Sequence, residues 1–500
     1  MTLEIHPKNN AYLYFDSDDK GILHELSEYF TFFVPGYKYI PAFRNKLWDG
    51  KIRLADLRSQ TVPAGLYRYI EQFCEERDYT LQVSEKNTYY NRPDIYYDDN
   101  VDWIDLLPLS GGGKKIKPRD YQKDAVSYAL KHRRGLLISP TASGKSLIIY
   151  LLIRYFLEYN KGKKVLLIVP TTSLVKQMVG DFDDYSQYDE TFDIDNCHQI
   201  MAGCDKNNKE CQIYVSTWQS IYKMGSGYFE QFGMVIGDEA HNFKAKSLTA
   251  ILSKCTEASY RFGLTGTLDG TQTHKLVLEG LFGPVKNVTT TKKLITDGAL
   301  SDVTIDVILL KHPQEIAQTL SKTTYNQELA HIVAYQPRNN FIKNLALDQD
   351  GNTLVLFQFV EKHGVPLYEL IKESAHSRRK IFFVSGNTDA ETREDIRKIT
   401  ESESNSIIVA SLGTFSTGIN IKNLHNIIFA SPSKSQIRIL QSIGRALRKS
   451  DDGRSAKIYD IADDLHWRRR KNYTLNHSAE RIKIYAKEKF KFSIHEVNLI

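Results

Sequence analysis

The sequence predicts an α/β protein built mainly from two tandem domains, each a parallel sheet with helices on both faces. Three observations carry this. From about residue 134 onward, short aliphatic or β-branched runs alternate with longer helical patterns. The runs are continuously apolar rather than alternating, as strands buried on both faces must be. They also fall into two series. The first contains Gly135–Ile138, Lys164–Val169, Gln212–Val215, Met234–Ile236 and Phe262–Leu264. The second contains Thr353–Phe357, Lys380–Val384, Ser406–Ala410, Asn426–Ala430 and Lys457–Tyr459. The two domains, 114–300 and 301–465, should join near Asp297 to Asp302. Ahead of them, residues 1–105 form a separate unit rich in Tyr and Phe. The turn-prone stretch Leu109-Ser110-Gly111-Gly112-Gly113-Lys114-Lys115 predicts a flexible linker over 106–117. Residues 466–500 open with His466-Trp467-Arg468-Arg469-Arg470-Lys471, and their apolar spacing predicts a helical extension with a basic face.

Composition restricts the class. With 41% hydrophobic and 25% charged residues, the chain of 500 residues has enough apolar matter for several cores. The net charge of +6 is mild, but its distribution is uneven. Lys434 to Ile500 carries 16 Lys/Arg against 8 Asp/Glu. Lys38 to Arg68 holds seven basic residues against only Asp49 and Asp56. Two separate basic patches suit a protein that grips a polyanion at more than one place. The five cysteines lack the close pairs of a zinc knuckle or a disulfide framework, so reduced thiols are expected. The N-terminus lacks a basic start and an apolar core, and no apolar run approaches the ~18 residues of a membrane span. A soluble, cytoplasmic protein without membrane contact is expected.

The strand Gly135–Ile138 leads into Ser139-Pro140-Thr141-Ala142-Ser143-Gly144-Lys145-Ser146, and an apolar helix follows. This is the strand–loop–helix setting of a phosphate cradle. Backbone N–H groups at the helix start would face the phosphates, Lys145 would reach the β/γ oxygens, and Ser146 would ligate Mg²⁺. Ser139 stands where the usual pattern has its first glycine, so the match is not strict.

A second signal comes 93 residues after Lys145, where the strand Met234–Ile236 runs into Gly237-Asp238-Glu239-Ala240-His241. Adjacent carboxylates at a strand end repel unless a cation lies between them. Mg²⁺ held by Asp238, with Glu239 deprotonating an attacking water, accounts for both. The carboxylate pair alone is weak, because Asp-Glu pairs are common in loops; with the phosphate loop it specifies one ATP site.

In Gln441-Ser442-Ile443-Gly444-Arg445-Ala446-Leu447-Arg448, helical spacing puts Gln441, Arg445 and Arg448 on one face. Two fixed guanidiniums suit a clamp on a transferring phosphoryl group. An ordinary amphipathic basic helix would be the default reading without the two upstream signals.

With these segments the chain resembles the superfamily-two, DEAH-box-type helicases. Asp238-Glu239-Ala240-His241 matches the family's box, and Arg119-Asp120-Tyr121-Gln122 resembles its adenine-reading motif. Val169-Pro170-Thr171-Thr172 and Ser216-Thr217-Trp218 resemble the segments that place Thr171, Thr172, Thr217 and Trp218 on the nucleic-acid face. Leu264-Thr265-Gly266-Thr267 resembles the motif in which Thr265 and Thr267, with His241, couple hydrolysis to movement. Val384-Ser385-Gly386-Asn387 and Phe415-Ser416-Thr417-Gly418-Ile419-Asn420 resemble later motifs. By that resemblance Ser385, Gly386 and Thr417 contact nucleic acid, and Gly418 and Asn420 lie near the nucleotide. It covers roughly residues 114 to 465 and implies two RecA-like domains that use ATP and Mg²⁺.

The segment Gly36-Tyr37-Lys38-Tyr39 through Lys51-Ile52-Arg53-Leu54 resembles the small N-terminal α/β domain of the UvsW-type bacteriophage helicases. This implies a recombination and repair enzyme acting on branched DNA: forks, Holliday junctions and R-loops. A single-strand-binding or recombination protein would be a fitting partner, and the host cytoplasm the location if a phage encodes the chain. In this segment Lys38, Arg44, Lys46 and Trp48 are candidates for strand contact, by stacking and phosphate neutralisation. The competing reading makes the aromatics a small core and the charges its solvated face. Two other functions stay open: the motor subunit of a restriction or nuclease system, and an RNA helicase, since the motor mostly contacts backbone.

Overall fold

The computed structural model describes residues 1–84, 101–268, 271–300, 302–376, 379–414, 421, 423–432, 443–444 and 455–499. The chain forms two compact units, residues 1–139 with 144–289 and residues 290–500, with segment 140–143 grouped with the second.

In the first unit, β1 (Thr2–Pro7), β2 (Tyr12–Asp16), β5 (Thr61–Pro63) and β6 (Thr80–Val83) form a sheet in the order β5-β2-β1-β6. Only β1 and β6 run parallel within it. Alternation sets its inner face, with Leu3, Ile5, Leu13 and Phe15 buried against Ile22, Leu26, Ile70 and Phe73 of two helices. A hairpin of β3 (Thr31–Phe33) and β4 (Lys51–Arg53) carries the basic-aromatic segment 34–50.

This small domain is seated on the motor domain that follows it. Tyr12 Oη and Ser253 Oγ share a 2.7 Å hydrogen bond, and Tyr69 Oη donates to Glu279 at 2.7 Å. The Asn10 amide donates to the Thr256 carbonyl at 3.1 Å, and Arg134 donates to the carbonyl of Asn10. Leu276 of the motor domain belongs to the small domain's core. Gly65 lies so close that a Cβ there would meet the Glu279 carbonyl oxygen at 1.9 Å.

The stretch predicted as a flexible linker is ordered. Ser110 and Gly111 (β7) pair with Lys114 and Lys115 (β8), and the Gly112 amide donates to Asp184 at 2.7 Å. Ile104 and Leu109 are buried in the motor core, so apolar contacts override the glycine-rich composition.

The first motor sheet contains β9 (Arg134–Ile138), β10 (Lys164–Val169), β11 (Cys197–Ile200), β12 (Ile213–Thr217), β13 (Phe232–Asp238), β14 (Tyr260–Thr265) and β15 (Val285–Asn287). Its order is β11-β12-β10-β13-β14-β9-β15, all parallel. Strand β13 is buried throughout, as is the stretch Leu147–Ile153 of the helix Lys145–Tyr159. That is why both read as unbroken apolar runs.

The second unit has a sheet of β16 (Val303–Lys311), β17 (Thr353–Phe357), β18 (Ile381–Val384), β19 (Ile407–Ser411), β20 (Asn426–Phe429), β21 (Ala456–Asp464) and β22 (Lys491–Asn498). The order is β18-β19-β17-β20-β21-β16-β22, again all parallel. Both predicted tandem sheets are present.

The last segment departs from the predicted helical extension. After the helix Tyr473–Glu488 the chain returns as edge strand β22. Arg481 of this helix is buried, with Nη2 2.8 Å from Asp460, and Tyr485 donates to the same carboxylate at 2.9 Å. The helix is therefore integral to the second domain, although Lys483 remains exposed.

Candidate nucleotide and nucleic-acid sites

Three neighbouring strands bring the predicted ATP-site segments of the first unit together. In register, Thr265 of β14 stands opposite Ile138 of β9, and Leu264 stands opposite Asp238 of β13. All three strands run the same way, so the loops after them emerge at one edge, where ligands of parallel sheets bind.

The phosphate loop is anchored there by the Ser139 amide, which donates to the Thr265 carbonyl at 2.8 Å. Ser143 Oγ donates to the Pro140 carbonyl at 2.6 Å, which closes the loop on itself. Ala142 and Gly144 both take left-handed backbone, with φ of 64° and 81°. A side chain at Gly144 would be excluded twice, since its Cβ would also lie 2.3 Å from Gln122 Nε2. Lys145 opens the helix and donates from Nζ to the Ser139 carbonyl at 3.2 Å. The helix start offers N–H groups without helical partners, the elementary condition for an anion site.

Gln122 is buried and closes on this loop. Its Oε1 accepts the Arg119 amide at 2.8 Å, and its Nε2 donates to the Gly144 carbonyl at 3.5 Å. Arg119 Nη1 donates to Tyr121 Oη at 2.8 Å. As placed, Gln122 braces the phosphate loop rather than presenting a free amide.

Asp238 is 7% exposed, and its Oδ1 is buried without a hydrogen-bond partner among the described residues. Burial and then the Glu239 carboxylate push its carboxyl up to about 7, with Lys145 opposing. A divalent cation relieves this arrangement, as it offers the missing partner and cancels the repulsion. Mg²⁺ therefore fits the donor set of Asp238 and Ser146.

Glu239 sits in left-handed backbone with φ 49°, an uncommon conformation for Glu that costs about 1–3 kcal/mol. Its carboxylate lies 3.3 Å from His241 Nδ1, which is 2.9 Å from Thr265 Oγ1. Thr265 Oγ1 in turn donates to the Thr267 carbonyl at 3.1 Å. The three residues predicted to couple hydrolysis to movement thus form one chain that begins at Glu239. His274 supports it from a helix that sequence reasoning passed over, with Nε2 3.0 Å from the His241 carbonyl.

On the other side of β13 the strands β10 and β12 end together, Val169 opposite Thr217. An open cleft of about 550 Å³ follows them, lined by Pro170, Thr171, Thr172, Lys206, Thr217 and Ser220 among others. Thr171 caps the helix Thr172–Ser186, and Thr217 Oγ1 pairs with Ser220 Oγ at 2.9 Å. Hydroxyls, a lysine and a helix start, with no acidic residue in the lining, suit a phosphate backbone. Trp218 does not line the cleft; it packs on Tyr222 and the neighbouring aliphatic cluster. Ser220 closes the segment that begins at Ser216, whereas Lys206 carried no motif that could have marked it.

In the second unit Ser385 is buried at the end of β18 and Gly386 is exposed. Thr417, Gly418, Asn420, Gln441, Arg445 and Arg448 lie outside the described residues. In the small domain Lys38, Arg44 and Lys46 are exposed, while Tyr37 stacks on Phe33 and meets Phe43 edge-on, both at 4.7 Å. Trp48 is half-buried and donates to the Lys51 carbonyl at 2.9 Å. In segment 34–50 the aromatics Tyr37, Phe43 and Trp48 are therefore half-buried among themselves with charges outside them, and Tyr39, 84% exposed, stands apart.

Comparison with known proteins places the whole chain. Residues 2–84 match the family "DNA helicase UvsW, N-terminal", residues 115–270 match "Type III restriction enzyme, res subunit", and residues 337–450 match "Helicase conserved C-terminal domain". The ATP-dependent DNA helicase UvsW of Enterobacteria phage T4 is 36% identical over 519 aligned positions, covering all of both chains. The crystal structure of T4 UvsW superposes with a TM-score of 0.53 at 35% identity, again covering 100% of each. A DNA-bound Type ISP restriction-modification enzyme, LlaBIII, shares the fold at 17% identity and a TM-score of 0.56, over 77% of this chain and 32% of that one. Among the described residues no helix is long and apolar enough to cross a membrane. The chain belongs to the UvsW family of superfamily-two helicases, with two RecA-like domains behind a UvsW-type N-terminal domain.

Proposed function

We propose that the chain is an ATP-dependent DNA helicase that unwinds or branch-migrates forks, Holliday junctions and R-loops in recombination and repair. The observation that carries the motor is the buried Asp238 carboxyl beside Glu239, one oxygen of which has no hydrogen-bond partner among the described residues, on the edge that also holds Lys145. The cleft at the ends of β10 and β12 lies along the same sheet and supports a nucleic-acid track.

In this reading Lys145 and the loop Pro140-Thr141-Ala142-Ser143-Gly144 bind the phosphates. Ser146 and Asp238 would hold Mg²⁺, which neutralises phosphate charge when bound. Glu239 takes the proton of the attacking water, and its strained backbone fixes the carboxylate for that task. His241, Thr265 and Thr267 carry the loss of phosphate charge into the strand ends. Gln441, Arg445 and Arg448 are assigned to charge stabilisation on their spacing in the sequence and on resemblance. Thr171, Thr172 and Thr217 hold backbone phosphates, and Lys38, Arg44 and Lys46 add contacts from the small domain. A single-strand-binding or recombination protein partner belongs to the same proposal.

The test is ATP-driven remodelling of a matched panel of fork, four-way junction, R-loop and RNA duplex, with Lys145→Ala as the inactive control. Branched DNA should be resolved and simple RNA duplex left alone. Activity on RNA duplex with none on branched DNA would overturn the substrate and favour the RNA-helicase reading. Glu239→Gln should lower kcat for ATP by about 10²–10⁴-fold with nucleotide still bound.

A further inference from the structure

Ser146 has a neighbour that no helicase motif contains. Its Oγ lies 2.8 Å from Tyr185 Oη, at the far end of the helix Thr172–Ser186. Tyr185 is half-buried, and its ring meets that of Tyr150 with centroids 5.7 Å apart. Tyr150 is itself fully buried and packs on Phe182 and Phe192, so this corner of the domain is an aromatic cluster. The phenol is held where it is by packing, and its hydroxyl meets the serine.

A serine that ligates a cation does so through an oxygen lone pair and keeps its proton. That proton needs an acceptor, and the acceptor's position decides which way the lone pairs point. Tyr185 Oη is in place to be that acceptor. We infer that Tyr185 is a positioning residue, which aims Ser146 at the Mg²⁺ of the nucleotide. The helix that carries Tyr185 starts at Thr171 and Thr172 in the cleft assigned to the nucleic-acid strand, one rod of about 22 Å away. The metal ligand is thereby set by the same helix that feels the strand. This inference rests on the assignment of Ser146 to Mg²⁺ made above.

The experiment is direct binding of a fluorescent ADP analogue to the full chain, with EDTA and across a Mg²⁺ titration, for wild type, Tyr185→Phe and Ser146→Ala. Phe keeps the ring and its packing, so metal-free affinity should stay as in wild type and Tm should fall by no more than one lost hydrogen bond accounts for. The Mg²⁺ concentration that gives half of the metal-dependent gain should rise about 10-fold or more in Tyr185→Phe, in the range of such supporting contacts. Ser146→Ala should lose the gain. If Ser146→Ala loses it while Tyr185→Phe titrates like wild type, the positioning role is overturned and the metal assignment stands. If Ser146→Ala also titrates like wild type, the metal assignment fails and the inference with it.

Discussion

Each motor sheet holds buried carboxylates, and the two sheets treat them oppositely. In the first, Asp238 ends β13 with an oxygen that has no protein partner, beside a second carboxylate. In the second, Asp460 and Asp463 of β21 also each keep one oxygen without a hydrogen bond, but each is neutralised by a buried arginine. Arg481 and Tyr485 bind Asp460, while Asp463 accepts from Arg338 Nε at 2.8 Å and lies 3.0 Å from His312 Nε2. Burial pushes the Asp463 carboxyl up, but the Arg338 charge and the His312 hydrogen bond outweigh it and hold it at about 2. A carboxylate whose partners are all protein is a structural tie. One whose nearest charge is a second carboxylate, as Asp238 has in Glu239, is a place for a ligand cation.

The largest test of this contrast is Arg338→Ala, which would strand the buried Asp463 charge. Loss of about 3–5 kcal/mol in chemical unfolding is expected, with no new affinity for Mg²⁺. An unchanged unfolding midpoint would show that Asp463 is not a tie at all.

The next test is pH. Asp463 has a folded value of about 2, below its ordinary 3.8, so its contribution is present above pH ~4 and fades as pH falls toward 2. Asp238, with a folded value of about 7, works the other way. Between pH ~4 and ~7 the unfolded chain has released this proton and the folded chain has not, so metal-free stability declines as pH rises through that window. In EDTA, Asp238→Asn should flatten the decline without touching the acid limb. A decline that persists in the variant would place its origin elsewhere.

The smallest effect concerns the small domain's seat. Tyr12→Phe removes the hydrogen bond to Ser253 and should cost about 1 kcal/mol in thermal unfolding of the first unit.

Much of the fold was legible because parallel strands buried on both faces must be apolar throughout. Lys164–Val169 and Thr353–Phe357 were read to the residue. In the two motor sheets four strands were missed: Cys197–Ile200, Val285–Asn287, Val303–Lys311 and Lys491–Asn498. The second is short, the third is broken by Asp306, and the fourth is an exposed edge whose alternation looks like a charged helix face. The phosphate loop and carboxylate pair declare themselves because their chemistry restricts residue type. The left-handed backbone of Glu239 does not, since Glu carries no signal for that conformation. Nor could Tyr185 be found, because a tyrosine that supports a serine 39 positions away leaves no local pattern.

The seat of the small domain has a consequence for how such chains change over generations. Gly65 fits against the Glu279 backbone, Leu276 completes a core made by residues 1–84, and Ile104 and Leu109 complete the motor's own. The restriction-subunit likeness begins at residue 115, so a crossover between relatives at that point would part each core from a residue it needs. The N-terminal domain and the first motor domain thus share their cores, and Tyr69 and Glu279, joined side chain to side chain, should be exchanged together.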